Sequence, residues 1–443
     1  MKKKLHLLIL ALLSVFLFIS CGGSKETTGA KAATKDTLVV ANGADAKSLD
    51  PHATNDAPSS KVTVQIYDRL VEQDENMNII PSLAESWEQP DDVTTVFHLR
   101  KGVKFHNGYD FTAEDVKFSF ERMANSPRIA FVLPPIEKVE VVDDYTVNIV
   151  TKTPFGPLLA HLSHPALGIV SKKLLTEDEQ SFKDHPIGTG SYKFKEWVPG
   201  DSLTLEKNED YFDKKNGLKY IVFKNIVEAS NRTIGLETGE IDISISVSSV
   251  DENTIKNNPK LQLITKPSIS YSYVGMNTQK TPLNDVRVRK AIAMGVNRDI
   301  IIDSVLMGAV EKANSLLGPG VVGYSKDTKP FEYNPEEAKR LLNEAGYETL
   351  DLVMVTSNND LRKQMAEIMQ AQLKEIGINI KIEILEWATF LNTTGSGKSD
   401  LFMIGWSNSS GDADYGLTPM LHSSMKGNSG NRSSLTIKNL IHY

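Results

Sequence analysis

The sequence predicts an α/β protein, and two observations carry that prediction. After Pro282 strand and helix patterns alternate: Leu352 to Val355 reads as a strand, and Leu361, Met365, Ile368, Met369 and Leu373 follow at helical spacing. Ile378, Ile380, Ile382 and Ile384 then alternate with Asn379, Lys381 and Glu383. Strand, amphipathic helix and strand form a right-handed crossover, which pairs the two strands in parallel. The second observation is length without staples. A chain of 443 residues is long enough for two or three domains, and its single cysteine, Cys21, leaves core burial to hold the body together.

Taken from the start, the chain opens with Lys2, Lys3 and Lys4, an apolar run from Leu5 to Ile19, and Ser20-Cys21-Gly22-Gly23. A charged start and a short apolar core make an export signal, too short for a permanent membrane span. A small residue before a lone cysteine resembles the lipobox of bacterial lipoproteins, in which the thiol is acylated and becomes the mature N-terminus. Phe18 stands where that pattern has leucine. The competing reading is an ordinary signal peptide with Cys21 incidental. Residues 1–20 are therefore expected to be a signal peptide and 21–35 a lipidated flexible linker, since GGSKETTGAKAATKD has no aromatic or branched apolar side chain to bury.

The body that follows shows no apolar run near the length of a membrane span, so lipid at Cys21 would be its only tether. The net charge of −7 becomes −10 once the three lysines of residues 1–20 are removed, which excludes a basic nucleic-acid-binding surface. Folded sequence begins with a short strand, Leu38 to Ala41. Between 56 and 185, Val139 to Val142 and Tyr145 to Val150 flank Asp143-Asp144 as a hairpin, and a helix opens at Thr112-Ala-Glu-Asp115 with a capping residue and first-turn acids. Residues 186–278 are again strand-rich, with Ser202 to Leu205, Tyr220 to Val227 and Tyr271 to Met276. Asn334-Pro335-Glu336-Glu337 opens a helix that closes at Gly346.

Six segments occur in register: PSLAESWEQPDD from Pro81, FHLRKGVKFHNGYDFTAEDVKFSFERM from Phe97, HPIGTGSYKFKEW from His185, IGLETGEIDI from Ile234, GMNTQKTPLNDVRVRKAIAMGVNR from Gly275 and GWSNSSGDADYG from Gly405. Together they resemble the family 5 solute-binding proteins of ABC transporters, the peptide and nickel binders. The resemblance runs from Asp36 to about Asn431. It implies a two-lobed type II periplasmic-binding-protein fold with an additional inserted α+β domain: 36–55 and 186–278 as lobe I, 56–185 as an inserted satellite, and 279–443 as lobe II. It also implies a monomer that closes on a small peptide by hinge motion and hands it to ABC permease subunits, with no cofactor and no covalent chemistry.

A zwitterionic peptide in a closed cleft needs an acid for its ammonium and a cation for its carboxylate. In the dipeptide-binding branch an aspartate after a Gly-Trp pair takes the ammonium, which points to Asp412 or Asp414 after Gly405-Trp406, with Asp414 preferred. The same branch binds the carboxylate with an arginine at a helix start, which points to Arg362 beside Lys363; arginine suits a bidentate contact better. Main-chain pairing along Ser270 to Gly275, the strand of Tyr273, would hold the peptide backbone. Trp406 and Trp387 either line the cleft or fill the core.

Several other patterns carry less. Thr394-Gly-Ser-Gly-Lys-Ser399 suggests a phosphate loop, but Asn392 replaces its first glycine and the segment follows a helix. Gly188-Thr-Gly190 leads into a strand and reads as a turn. His98, His106, His161, His164 and His185 lack HExxH spacing, while His422 keeps nickel or a metal chelate open as cargo, beside glutathione. A hydrolase would need a nucleophile elbow or a zinc pattern, and neither is found; a ligand-free surface lipoprotein is the remaining rival. The end of the chain, Asn431-Arg-Ser-Ser-Leu-Thr-Ile-Lys-Asn-Leu-Ile-His-Tyr443, departs from the resemblance. A shifted reading frame over Thr436 to Tyr443 gives Y-N-K-E-F-D-T-L, close to the family pattern, so a frameshift after about Arg432 is expected to truncate the second lobe.

Overall fold

The structure, a computed structural model, describes residues 35–213, 217–427 and 430–436. The expected signal peptide, Cys21, nearly all of the linker and the tail beyond Thr436 lie outside the described residues. In chain order the strands are β1 (Thr37–Asn42), β2 (Val71–Gln73), β3 (Ile79–Pro81), β4 (Ala84–Glu88), β5 (Thr94–Leu99), β6 (Ile136–Asp143), β7 (Thr146–Thr151) and β8 (Tyr192–Val198). They continue with β9 (Ser202–Lys207), β10 (Tyr220–Asn225), β11 (Ile243–Ser244), β12 (Ser270–Met276), β13 (Leu350–Ser357), β14 (Ile378–Leu385) and β15 (Leu401–Ser407).

Leu203 and Leu205 alternate with half-exposed residues along β9, the period-two pattern of a strand with one buried face. That face belongs to a mixed sheet of order β11-β1-β10-β9-β8, in which β1 runs parallel to β10 and β11 while β9 is antiparallel to both its neighbours. Its core gathers Val40, Leu203, Leu205 and Ile221 with Ile66, Tyr67 and Phe182. The turn Gly188-Thr-Gly190 lies against this core: a Cβ on Gly188 would stand 2.0 Å from the Ile66 carbonyl oxygen, so only glycine allows that approach.

The stretch between these strands builds its own antiparallel sheet, β4-β5-β7-β6. Phe97 and Leu99 on β5 and Val147 and Ile149 on β7 point inward by the same alternation. Over them lies helix α1 (Ala113–Ala124), whose start is fixed by a reciprocal Thr112–Asp115 capping box and which buries Val116, Phe120 and Met123. The hairpin expected at Asp143-Asp144 forms one residue later, because Asp143 pairs with Thr146 and Asp144-Tyr145 make the turn. Nearby, the short helix α2 (Leu158–Leu162) buries His161.

The third sheet has the order β12-β15-β13-β14. β13 is parallel to β14 and β15, as the crossover pattern requires, and β12 joins the edge antiparallel to β15. Ser270–Met276, placed with the first lobe by the resemblance, pairs along its whole length with Leu401–Ser407, because its apolar residues Val274 and Met276 pack into the core of Leu352, Met354, Leu401 and Met403. Helix α3 (Pro335–Glu344) covers that core; Asn334 Oδ1 accepts from the Glu337 amide at 3.0 Å, and Gly346 ends the turn at φ 89°. The last described segment is tied down too: Asn431 Nδ2 donates to the carbonyls of Leu421, His422 and Leu435, and the Arg432 guanidinium donates to Leu391 O and Thr394 Oγ1.

Around the first two sheets, burial lowers the pKa of three histidines. Burial holds the rings of His52 and His106 down at about 4 and that of His164 at about 3. All lie below the 6.5 of an unfolded histidine, so their contribution to stability is full above that pH and is lost as pH falls toward the folded values. Asp68 opposes them: burial and the neighbouring Glu72 charge push it up to about 6 from 3.8, so its contribution is full below 3.8 and lost as pH rises through 6. Three groups outweigh one. Thermal unfolding followed by circular dichroism is expected at a melting temperature several degrees lower at pH 4.5 than at pH 7; a flat or inverted profile contradicts this.

Candidate functional site

β13, β14 and β15 are parallel, so their carboxyl ends share one edge of the sheet. Each runs into a helix there: α4 (Asp360–Glu375), α5 (Trp387–Gly395) and α6 (Ala413–Leu421). β13 is central, with β14 on one side and β15 on the other. Its outgoing loop and that of β15 therefore diverge and leave a crevice, the place where open α/β sheets bind ligands. Side chains cap all three helix starts: Asn359 Oδ1 accepts from Arg362 N at 3.0 Å, Glu386 Oε2 from Ala388 N at 2.8 Å, and Asp412 Oδ1 from Asp414 N at 2.9 Å.

A pocket of about 720 Å³ opens on this edge, lined among others by Ser357, Asn359, Arg362, Ile384, Glu386 and Trp387. Arg362 Nη1 donates to Ser357 Oγ at 2.9 Å, and its guanidinium lies over the backbone of Gly405, where a Cβ would be 3.8 Å from Nη2. No acid among the described residues pairs with it. Burial pulls the guanidinium below its usual pKa, the mark of a cation that has lost water without gaining an anion. Ile384, on the face that buries Ile378 and Ile380, is 50 % exposed because the strand emerges into this pocket. Trp387 stacks on Phe390 at 5.6 Å and carries Lys47, from beyond β1, 5.9 Å from its ring centroid.

The other expected residues divide. Trp406 lies one strand away, tilted against Tyr415 at 5.5 Å with its Nε1 buried and without a protein acceptor. Its cross-strand partner Tyr271 likewise buries an unpartnered hydroxyl. Tyr273 is farther from the edge: its ring meets Phe402 edge-on and its hydroxyl reaches Met420 Sδ at 3.8 Å, inside an apolar cluster with Val355 and Phe390. Asp412 is the cap of α6. Asp414 accepts from Thr418 Oγ1 at 2.6 Å and stands 3.2 Å from Nε2 of His161, an ion-pair distance bent away from a straight hydrogen bond. Burial alone would raise the Asp414 carboxyl; His161 and Thr418 outweigh it and hold it below the usual value.

His161, Ser357, Lys47 and Tyr415 escaped the sequence reading as site residues. Tyr415 is 3 % exposed and seats α6 among Phe131, His161 and His164 of the second sheet's surroundings. Gln73 Nε2, donating to Ser410 O at 2.6 Å, makes a second link across. The phosphate-loop look-alike at Thr394 to Ser399 is excluded by order, since it closes α5 and leads into β15 instead of following a strand.

Residues 78–428 match the family model described as bacterial extracellular solute-binding proteins, family 5 middle. The chain belongs to that family. This solute-binding protein is 32 % identical over 402 residues to the glutathione-binding protein GsiB of Pectobacterium atrosepticum, covering 88 % of this chain and 77 % of the relative. It is 32 % identical over 421 residues to the dipeptide-binding protein of Escherichia coli K12, covering 87 % and 79 %. Among solved structures, the ABC transporter-associated periplasmic binding protein DppA of Helicobacter pylori, in complex with peptide STSA, superposes with a TM-score of 0.81 at 32 % identity, over 91 % of this chain and 84 % of that one. A dipeptide-binding protein of a Pseudoalteromonas species, in complex with Met-Leu, gives 0.82 at 26 %, over 90 % and 86 %. The fold is thus the two-lobed α/β fold of periplasmic binding proteins, and the solute-binding protein is of an exported class.

The cap at α6 sets the register of the loop that follows β15. Asp412→Ala is expected to lower stability by about 1 kcal/mol in urea titrations; an unchanged midpoint would remove Asp412 from the capping role.

Proposed function

We propose that this solute-binding protein captures small peptides in the cleft between its lobes and delivers them to the membrane permease of an ABC importer. The carrying observation is Arg362: a half-buried guanidinium at the carboxyl ends of parallel strands, with no acid among the described residues paired to it, asks for an anion from outside the protein. A peptide carboxylate fits its fork of donors, and Trp387 and Ile384 offer apolar surface to the side chains beside it. Lys47 reaches the same place from the first-lobe side. A solute bridging the two stabilises the closed arrangement over the open one, which is how binding becomes a signal to the permease.

In this reading residues 36–55 with 186 to about 269 form lobe I, 56–185 the satellite, and β12 onward lobe II. Export leads to lipid attachment at Cys21, and the protein acts as a monomer that alters no bond in its cargo. Among the described residues no three His, Cys, Asp or Glu side chains converge as a metal-holding group, and His422 Nδ1 instead faces Ser424 Oγ at 2.6 Å. A chelated metal would therefore enter as part of an anionic complex held by Arg362.

Arg362→Ala is expected to weaken peptide binding by roughly tenfold or more, as for loss of one partner of a desolvated charge pair, in isothermal titration calorimetry against peptides that bind the unaltered protein. Affinity equal to that of the unaltered protein would rule out Arg362 as the carboxylate receptor.

A further inference from the structure

We infer that Glu386 is the receptor for the amino end of the solute, so that one pocket holds both ends of a short zwitterionic peptide, the carboxylate at Arg362 and the ammonium at Glu386. This rests on the proposed function and specifies where the second charge of its solute is met.

Arg362 and Glu386 line the same cavity of about 720 Å³. They reach it from neighbouring strands, because β13 and β14 are parallel and Asn358 N, just past β13, donates at 3.2 Å to Leu385 O at the end of β14. Each side chain is anchored to its own loop. Arg362 Nη1 donates to Ser357 Oγ, while Glu386 Oε2 accepts from the amides of Ala388 and Thr389 at 2.8 and 3.3 Å. So held, the two charges do not pair with each other. Glu386 Oε1 makes no hydrogen bond, and its carboxylate meets no cation at ion-pair distance, among the described residues. A carboxylate already ordered by its cap gives an ammonium a fixed acceptor at little further cost in side-chain entropy.

The other charges at this edge are placed differently. Asp360 stands against Lys363 at 3.0 Å and is 87 % exposed. Asp412 caps α6, and Asp414, between Thr418 Oγ1 at 2.6 Å and His161 Nε2 at 3.2 Å, does not line the pocket. Lys47 is the competing cation: it stands 5.9 Å from the ring centroid of Trp387, the residue after Glu386, and pairs with no acid among the described residues. Its position shows the ring beside Glu386 accepting a positive charge. Glu386 is exposed, so an ammonium there is worth a factor of about five, less than a desolvated pair gives.

The test is a tripeptide library with free carboxyl ends, prepared with free and with N-acetylated amino ends, incubated with the protein and read as retained masses after rapid desalting. The unaltered protein is expected to retain the free-amine set about fivefold better. In Glu386→Gln, whose amide oxygen still caps α5 but carries no charge, the two sets are expected within about twofold of each other. A preference kept in that folded variant overturns the inference. So does equal retention of the two sets by the unaltered protein, a comparison that stands whether or not the variant folds. Loss of both sets alike in Glu386→Gln makes Lys47 the partner of Glu386, and collapse of the preference in Asp414→Asn alone moves the receptor to Asp414; either overturns it. All of these leave the proposed function standing, whereas retention of neither set by the unaltered protein overturns that function and the inference with it.

Discussion

A guanidinium taken half out of water with no carboxylate among the described residues to receive it is the constraint on which the rest of this molecule turns. Desolvating a cation costs several kcal/mol unless an anion repays it. Arg362 is set in that position by covalent and backbone necessity: it follows the Asn359 cap at the start of α4, and α4 starts where the central strand β13 ends. The parallel order β15-β13-β14 then collects the starts of α5 and α6 at the same edge. The sheet thus concentrates positive potential, while the acids at that edge serve as helix caps or are paired within the protein.

The same edge is joined to the antiparallel sheet. α6 leaves β15 and inserts Tyr415 into the core of the antiparallel sheet, where Phe131 stacks on it at 6.4 Å, and Asp414 meets His161 beside it. A helix that leaves the third sheet is therefore anchored by aromatic packing and charge against the core of the antiparallel sheet.

Much of the fold was legible because its signals are local. The alternation Ile378 to Ile384, the cap at Asn334-Pro335 and the box at Thr112–Asp115 each act within a few residues, and each element forms as expected. What the sequence hid is long-range. Nothing in Ser270–Met276 says whether it pairs with β10 or with β15; that is decided by which core receives Val274 and Met276. The two-lobed arrangement came from resemblance, not from composition or periodicity. The candidate site was half legible for the same reason. Arg362 sits at a recognisable helix start, and Asp412 and Asp414 in a recognisable turn, but His161, which stands against Asp414, lies far away in the chain and belongs to no motif. Tyr273 was drawn in by its strand, and its ring turned out to serve packing against Phe402.

The most direct measurement is a crystal structure of the protein with a retained peptide. The account predicts a solute carboxylate within ion-pair distance of the Arg362 guanidinium, with Asp414 still against His161. A solute whose carboxylate lies elsewhere, leaving Arg362 without an anion, contradicts it.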